Sequence, residues 1–367
     1  MSIKKNNFSN NTFFMNLALM QAYKVLGNTG ENPAVGCVVV KDKNVISSAH
    51  TGIKGRPHAE MTAIKFAKKN IYGSELFVTL EPCSHYGLTP PCVKSIIKNK
   101  VKKVFFSIHD PDLRSFKKSF KNLKKEKISV KTGTCSNKIN YFYRSYYKFK
   151  KKKLPFVTVK VAASKDLFTK NKKKRWITNR FSRGRVHLIR SQHDCIITSA
   201  KTIIDDNSKL TCRIPGLESF SPTRIILDKK LKIPIDSNMA KSAKKNRTLI
   251  FFNTGDRMKI KVLKSLKVKL YKFPLSKEGN FDLKNILIKI KQFGYSRILI
   301  ESGLTLTTNF LKDNLVDDLH LFISNNNLGN LGKNSMKKNV KFFLSKKKNT
   351  NEVVNLMGDK LISYKIK

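Results

Sequence analysis

Apolar positions change their period several times along the chain. In TFFMNLALMQAYKV (12–25), Phe14, Leu17, Ala18 and Ala22 fall near helical spacing and predict an opening helix. NPAVGCVVVKDKNVISSAH then predicts a loop, a strand over 38–41, a turn at Asp42-Lys43-Asn44 and a second strand. HAEMTAIKFAKKN (58–70) reads as a helix offering Met61, Ile64 and Phe66 to a core. ELFVTL (75–80) is a buried strand, 92–100 a short helix and 101–108 another strand. Helices alternating with apolar strands imply an α/β sandwich around one sheet.

The pattern breaks at YRSYYKFKKKKLP (143–155), where a basic run ends in Pro155. Two α/β domains are therefore expected, 1–150 and 151–367. In the second, apolar runs predict strands at 156–163, 194–199, 223–228, 247–252, 297–302 and 318–324. Helices are expected at 180–192, 285–293 and 305–314, and the tail is expected to end in a strand pair. No internal repeat is visible.

Composition narrows the class. Hydrophobic residues are 40% of 367, enough for real cores, and no run of about 18 apolar residues predicts a membrane helix. The first twenty residues show no secretory pattern, so a cytoplasmic protein without a membrane partner is expected. Six cysteines in such a chain read as thiols or metal ligands, not as a disulfide framework. The net charge of +51 admits a nucleic-acid partner. However, the lysines are spread along the chain and accompany abundant Asn, Ile and Phe, which favours compositional bias. No specific nucleic acid is expected, although a basic field speeds the arrival of a phosphorylated small molecule.

The chemistry concentrates in two stretches. His58-Ala59-Glu60 opens a predicted helix, and TLEPCSHYGLTPPC (79–92) follows with eight residues between Cys83 and Cys92. One imidazole and two thiolates leave a fourth zinc position for water, as in catalytic zinc sites. Bound zinc lowers the pKa of that water toward about 7. Glu60, two residues past His58, reaches the open side without ligating and serves as proton shuttle. The order H-x-E then P-C…C is the zinc deaminase signature, here with a longer spacer.

These residues, with NPAVGCVVV, resemble the deaminase half of the bifunctional riboflavin biosynthesis family, a fused pyrimidine deaminase and reductase. The second half resembles it through VKVAASKD, WIT, RSQHDCIITSAKTIIDDNSKLTCR, ILIESG and LVDDLHLFIS. The resemblance implies a cytidine-deaminase-like α/β/α sandwich followed by a dihydrofolate-reductase-like α/β domain. It implies zinc and NADPH as cofactors, phosphorylated ribosylaminopyrimidines as substrates, and a homo-oligomer. Carried over by position, His58, Cys83 and Cys92 match the zinc ligands and Glu60 the proton shuttle. Asn32, His50 and His85 match deaminase substrate positions. Arg190, Leu210, Arg213 and Glu301 match reductase substrate positions, and the two arginines suit a phosphate. Ala162, Trp176, Thr202, Asp206 and Gly303 match the NADPH side. Leu88, Asp112, Leu167 and Leu304 depart from the basic residue, Asn, Gly and Pro usual in the family, so weakened phosphate contacts and a raised KM are expected.

Overall fold

The structure is a computed structural model that describes residues 10–152, 154–337, 340–345 and 347–367. The segment 1–9, part of the stretch read as lacking a secretory pattern, lies outside the described residues. The chain divides into two compact units, Met1–Lys153 and Leu154–Lys367.

The first unit holds five strands: β1 Gly36–Lys41, β2 Asn44–His50, β3 Glu75–Leu80, β4 Lys103–Ile108 and β5 Ser129–Thr132. Their order is β2-β1-β3-β4-β5. The β1–β2 hairpin turns at Asp42 and Lys43, both with positive φ (48° and 63°), as a two-residue turn matching strand twist requires. β1 pairs β3 antiparallel, while β3, β4 and β5 run parallel. Residues 76–80 and 104–108 are buried without alternation, the mark of strands covered on both faces.

The opening helix, Asn10–Tyr23, buries Phe14, Met15, Ala18, Leu19 and Ala22. Of the expected set only Leu17 is half-buried, and Met15 and Leu19 complete the inward face beside Phe14, Ala18 and Ala22. The helix lies so close to β1 that a Cβ on Gly36 would stand 1.8 Å from the Ala18 carbonyl oxygen. The next helix, Ala59–Ala67, packs on β1 and β2 through Ala59, Ala63, Ile64 and Ala67. Its Phe66 is exposed and Met61 half-buried, contrary to expectation, since alanines let the helix approach the sheet and turn the larger side chains outward. The basic run before the division between the units is helical. Arg144–Lys151 is a helix that buries Ser145, Tyr146 and Phe149 at helical spacing, with its lysines outward.

The second unit contains β6 Phe156–Ala163, β7 Phe168–Asn171, β8 Cys195–Ser199, β9 Thr223–Leu227, β10 Thr248–Phe252 and β11 Lys269–Lys272. It continues with β12 Arg297–Ile300, β13 Asp318–Ile323, β14 Gly332–Ser335, β15 Asn349–Asn351 and β16 Lys360–Lys365. The main sheet runs β11-β10-β9-β8-β12-β6-β13-β16-β15, and β14 pairs β7 apart from it. β11 through β13 are parallel, and the final β16 and β15 are antiparallel, as expected for the tail. In such a sheet, ligands gather at the carboxyl ends of the strands.

One buried arginine ties several loops of this unit together. Arg224, in β9, is 0% exposed. It donates to the carbonyls of Lys209, Met239 and Asn246 and to the hydroxyls of Ser242 and Thr248. Burial pulls the guanidinium pKa down to about 10. These bonds fix Lys209 next to Leu210, whose backbone sits in the left-handed region (φ 50°).

Candidate metal centre and nucleotide cleft

His58 caps the helix Ala59–Ala67 in extended backbone (φ −68°, ψ 152°) and its side chain makes no capping bond. The ring is left free to face two thiols. β3 ends at Leu80 and the chain passes through Glu81-Pro82 to Cys83, while Cys92 is the first residue of the helix Cys92–Lys98. The Cys92 backbone N–H donates to the Cys83 sulfur at 3.2 Å, and the Val93 N–H to the Cys83 carbonyl at 3.2 Å. His58 Nδ1 lies 3.5 Å from Cys83 Sγ and 3.3 Å from Cys92 Sγ.

The ligand atoms of these three residues lie within 4.8 Å of one another. Bonds of about 2.0–2.3 Å in a tetrahedral site separate neighbouring ligand atoms by roughly 3.4–3.8 Å. The spacing and the N,S,S donor set both fit zinc. Electrostatics agree. A hydrogen bond from the Cys92 thiol, reinforced by His58, draws the Cys83 thiol down to about 4. Cys92 is pushed up by that same bond and by burial, so the pair shares one proton without metal. Glu60 is buried in the first turn, and burial raises its carboxyl to about 7.

The other expected positions of the first unit have the following partners. Asn32 donates to the Gly55 carbonyl at 3.1 Å. Gly55 needs its φ of 90°, and a Cβ there would stand 2.4 Å from Asn32 Nδ2. His50 closes β2 with Nδ1 on the Thr51 carbonyl at 3.0 Å. His85 pairs with the Ser115 hydroxyl at 2.9 Å, and burial lowers its pKa. Asp112, in the place of the family's Asn, is neutralised by a bidentate bond from Arg114 (2.9 and 2.6 Å), with Lys150 at 3.5 Å. Leu88 is 88% exposed and makes no use of its apolar surface. Sequence reasoning overlooked Glu81. Its buried carboxylate accepts from His109 Nδ1 at 2.8 Å and from the Lys117 N–H at 3.1 Å, tying β3 to the loop that carries Ser115. An acidic residue directly after a mostly apolar strand was the available signal.

In the second unit an open cleft of about 2510 Å³ lies over the strand ends. Arg190, Leu210, Arg213, Glu301, Ala162, Trp176, Thr202, Asp206 and Gly303 all line it, although they are scattered from position 162 to position 303 of the sequence. Arg190 grips Glu301 bidentately at 2.6 and 2.9 Å and also donates to the Thr211 carbonyl. Its guanidinium is thus committed to protein partners. Arg213 is exposed, and no hydrogen bond or ion pair engages it among the described residues. Trp176 is 53% exposed, with the guanidinium groups of Arg175 and Arg183 at 4.9 and 5.0 Å from its ring. Thr202 joins Ser199 and Ser302 in a hydroxyl cluster bridging the ends of β8 and β12 (3.0–3.4 Å). Asp206 ends the helix Ala200–Asp206, and Gly303 opens Leu304–Lys312 with open space where a Cβ would be. Leu304 starts that helix without the proline. Leu167 keeps a glycine-like φ of 70°, a strain of order 1–3 kcal/mol that a glycine would avoid.

Two cleft residues were missed. Lys160 is the lone cation in the apolar run of β6, with Nζ 4.0 Å from Glu301 Oε2, and burial lowers its pKa. His187 donates Nδ1–H to the Thr211 carbonyl at 2.9 Å, and burial with Arg190 and Arg213 nearby lowers its pKa to about 4. Unfolding restores about 6.5, so the unfolded chain binds this proton first. The stability contributed by neutral His187 is therefore complete above pH 6.5 and declines as pH falls toward 4. In urea titrations across that window, His187→Gln is expected to show a shallower acid loss than the unaltered protein; an equal loss would refute the assignment.

An N,S,S centre beside a buried carboxylate marks a zinc-dependent hydrolytic deaminase, and the cleft at parallel strand ends is where such a sheet takes a ligand. Comparisons agree with both. Residues 8–108 match the cytidine and deoxycytidylate deaminase zinc-binding region, and 155–354 match the RibD C-terminal domain. The riboflavin biosynthesis protein RibD of Aquifex aeolicus is 31% identical over 96% of this chain and 97% of its own. That of Bacillus amyloliquefaciens is 33% identical over 85% and 84%. An Acinetobacter baumannii RibD structure superimposes with a TM-score of 0.81 at 28% identity, covering 97% of this chain and 98% of its own. A Thermotoga maritima diaminohydroxyphosphoribosylaminopyrimidine deaminase/5-amino-6-(5-phosphoribosylamino)uracil reductase gives 0.82 at 27%, with the same coverage. The chain belongs to the RibD family, bifunctional deaminase–reductases of riboflavin biosynthesis that use zinc and NADPH. Among the described residues, no helix is long and apolar enough to cross a membrane.

Proposed function

We propose that residues 1–150 deaminate 2,5-diamino-6-(5-phosphoribosylamino)pyrimidin-4-one and residues 151–367 reduce the ribosyl group of the product to ribityl. The observation that carries this reading is the His58–Cys83–Cys92 cluster with Glu60 buried beside it. His58, Cys83 and Cys92 hold zinc, which when bound lowers the pKa of a water toward about 7. Glu60 accepts a proton from the attacking water and delivers it to the departing amino nitrogen. A carboxyl near 7 serves both directions. Asn32, His50 and His85 orient the pyrimidine.

In the cleft, NADPH supplies a hydride when bound. Gly303 and the Thr202 hydroxyl receive its phosphates, where a helix start follows a strand. Ala162, Trp176 and Asp206 line its remaining length. Arg213 receives the substrate phosphate, Leu210 shapes that subsite, and Arg190 holds Glu301 in place. As the ribose C1–O bond breaks and C1 gains hydride, Lys160 gives a proton to the ring oxygen, with Glu301 holding the ammonium. The protein works in the cytoplasm as a homo-oligomer, on free phosphorylated pyrimidines, with no membrane or specific nucleic-acid partner. The lysines' even spread supports compositional bias over RNA binding.

The test of the whole reading is ammonia release from the diamino substrate and NADPH oxidation with its product; absence of both would refute it. For the cleft, Trp176→Ala is expected to raise KM for NADPH about 10-fold, since aromatic contacts are worth about 0.5–1.5 kcal/mol beyond area. Its thermal midpoint should barely move, because the side chain is exposed. An unchanged KM for NADPH would remove Trp176 from the cofactor site.

A further inference from the structure

A phosphoribosyl substrate brings a dianion to the metal centre, so the first unit must meet it with a cation. We infer that Arg56 is the phosphate-binding residue of the deaminase, with Thr89 as its positioning residue. This rests on the reading that the first unit deaminates a phosphorylated pyrimidine. Arg56 stands two residues before His58 and is half-buried. Its Nη1 donates to the Thr89 hydroxyl at 2.6 Å. Its Nη2 lies 3.5 Å from where a Cβ on Gly87 would be. The guanidinium is thus laid against the loop between the two cysteines, on the flank of the metal centre.

The neighbouring cations are occupied. Arg114 is bidentate on Asp112, and Lys150 lies 3.5 Å from the same carboxylate. Lys94 donates to the Tyr86 hydroxyl at 2.6 Å. Lys117 sets its ammonium 5.2 Å from the Phe116 ring centroid. Of the two guanidinium groups here, Arg114 is held by Asp112, whereas Arg56 has no carboxylate within ion-pair distance among the described residues. A guanidinium carries five N–H donors in a fork that matches phosphate oxygens, and Thr89 takes one. Leu88, on the same loop, projects no charge. The cation that the loop lacks at 88 is therefore supplied from a different segment, and Gly87 leaves room for it.

The experiment uses the full zinc-loaded chain and measures ammonia release from the phosphorylated substrate and from its dephosphorylated riboside. In Arg56→Ala, KM for the phosphorylated substrate should rise roughly 10–100-fold, the range for losing a charge-assisted contact. Its kcat should stay within about threefold. Turnover of the riboside and zinc content should not change, Arg56→Lys should recover part of the KM, and adding Leu88→Lys to Arg56→Ala should lower it again. An unchanged KM, or an equal loss on both substrates, would overturn the proposal. Failure of the unaltered protein to release ammonia would instead overturn the deaminase reading beneath it.

Discussion

Glu60→Gln is expected to abolish ammonia release while leaving about one zinc per chain. Glutamine is isosteric, and Glu60 is not one of the three residues that offer a ligand atom. The amide cannot take a proton and return it, however. A positioned acid–base group contributes about 10²–10⁴-fold, so kcat should fall by that factor. The fold should hold, because a neutral amide is no harder to bury than a carboxyl raised to about 7. NADPH oxidation with the deaminated intermediate should be untouched, since Glu60 and the cleft belong to different compact units. Measured together, metal content, ammonia release and NADPH oxidation separate a lost shuttle from a lost site. Deaminase turnover at the unaltered rate would end the role given to Glu60.

The second large effect is expected from Glu301→Gln. Glu301 is 8% exposed and is the carboxylate shared by Arg190 and Lys160. The substitution keeps the shape and one acceptor but leaves two mostly buried cations uncompensated. Removing one partner of a buried pair costs about 3–5 kcal/mol, and the retained amide bond places this case near about 3. The second unit should melt earlier by that amount. The reductase kcat/KM should drop at least about 10²-fold, because Arg190 and Lys160 lose the group that fixes them. Ammonia release should persist, which distinguishes the effect from global unfolding. Unaltered NADPH oxidation in this variant would remove Glu301 from the reductase machinery.

The metal centre was legible in the sequence because its four residues sit at helix starts and beside one strand end, where residue type and spacing nearly fix position. The cleft was legible only through the order of its motifs. Its residues come from different strand ends, and no local pattern announces that Ala162 and Gly303 face one space. Lys160 and Arg56 escaped notice for the same reason. Their meaning lies in Glu301 and Thr89, distant contacts that periodicity cannot report. The strong apolar strands were found, whereas β5 (SVKT), β7 (FTKN) and β14 (GKNS) carry too little apolar surface to be seen. The helix Arg144–Lys151 was hidden by lysines that occupy only its outer face.

The central claim is that two separate sites on one chain act in sequence, the first needing zinc and the second NADPH. It is tested most directly by following NADPH oxidation with zinc-loaded and chelator-treated protein, each given the diamino substrate or its deaminated product. The account predicts that zinc-loaded protein oxidises NADPH with either compound, and chelated protein only with the deaminated one. Equal oxidation of NADPH with both compounds after zinc removal would contradict it.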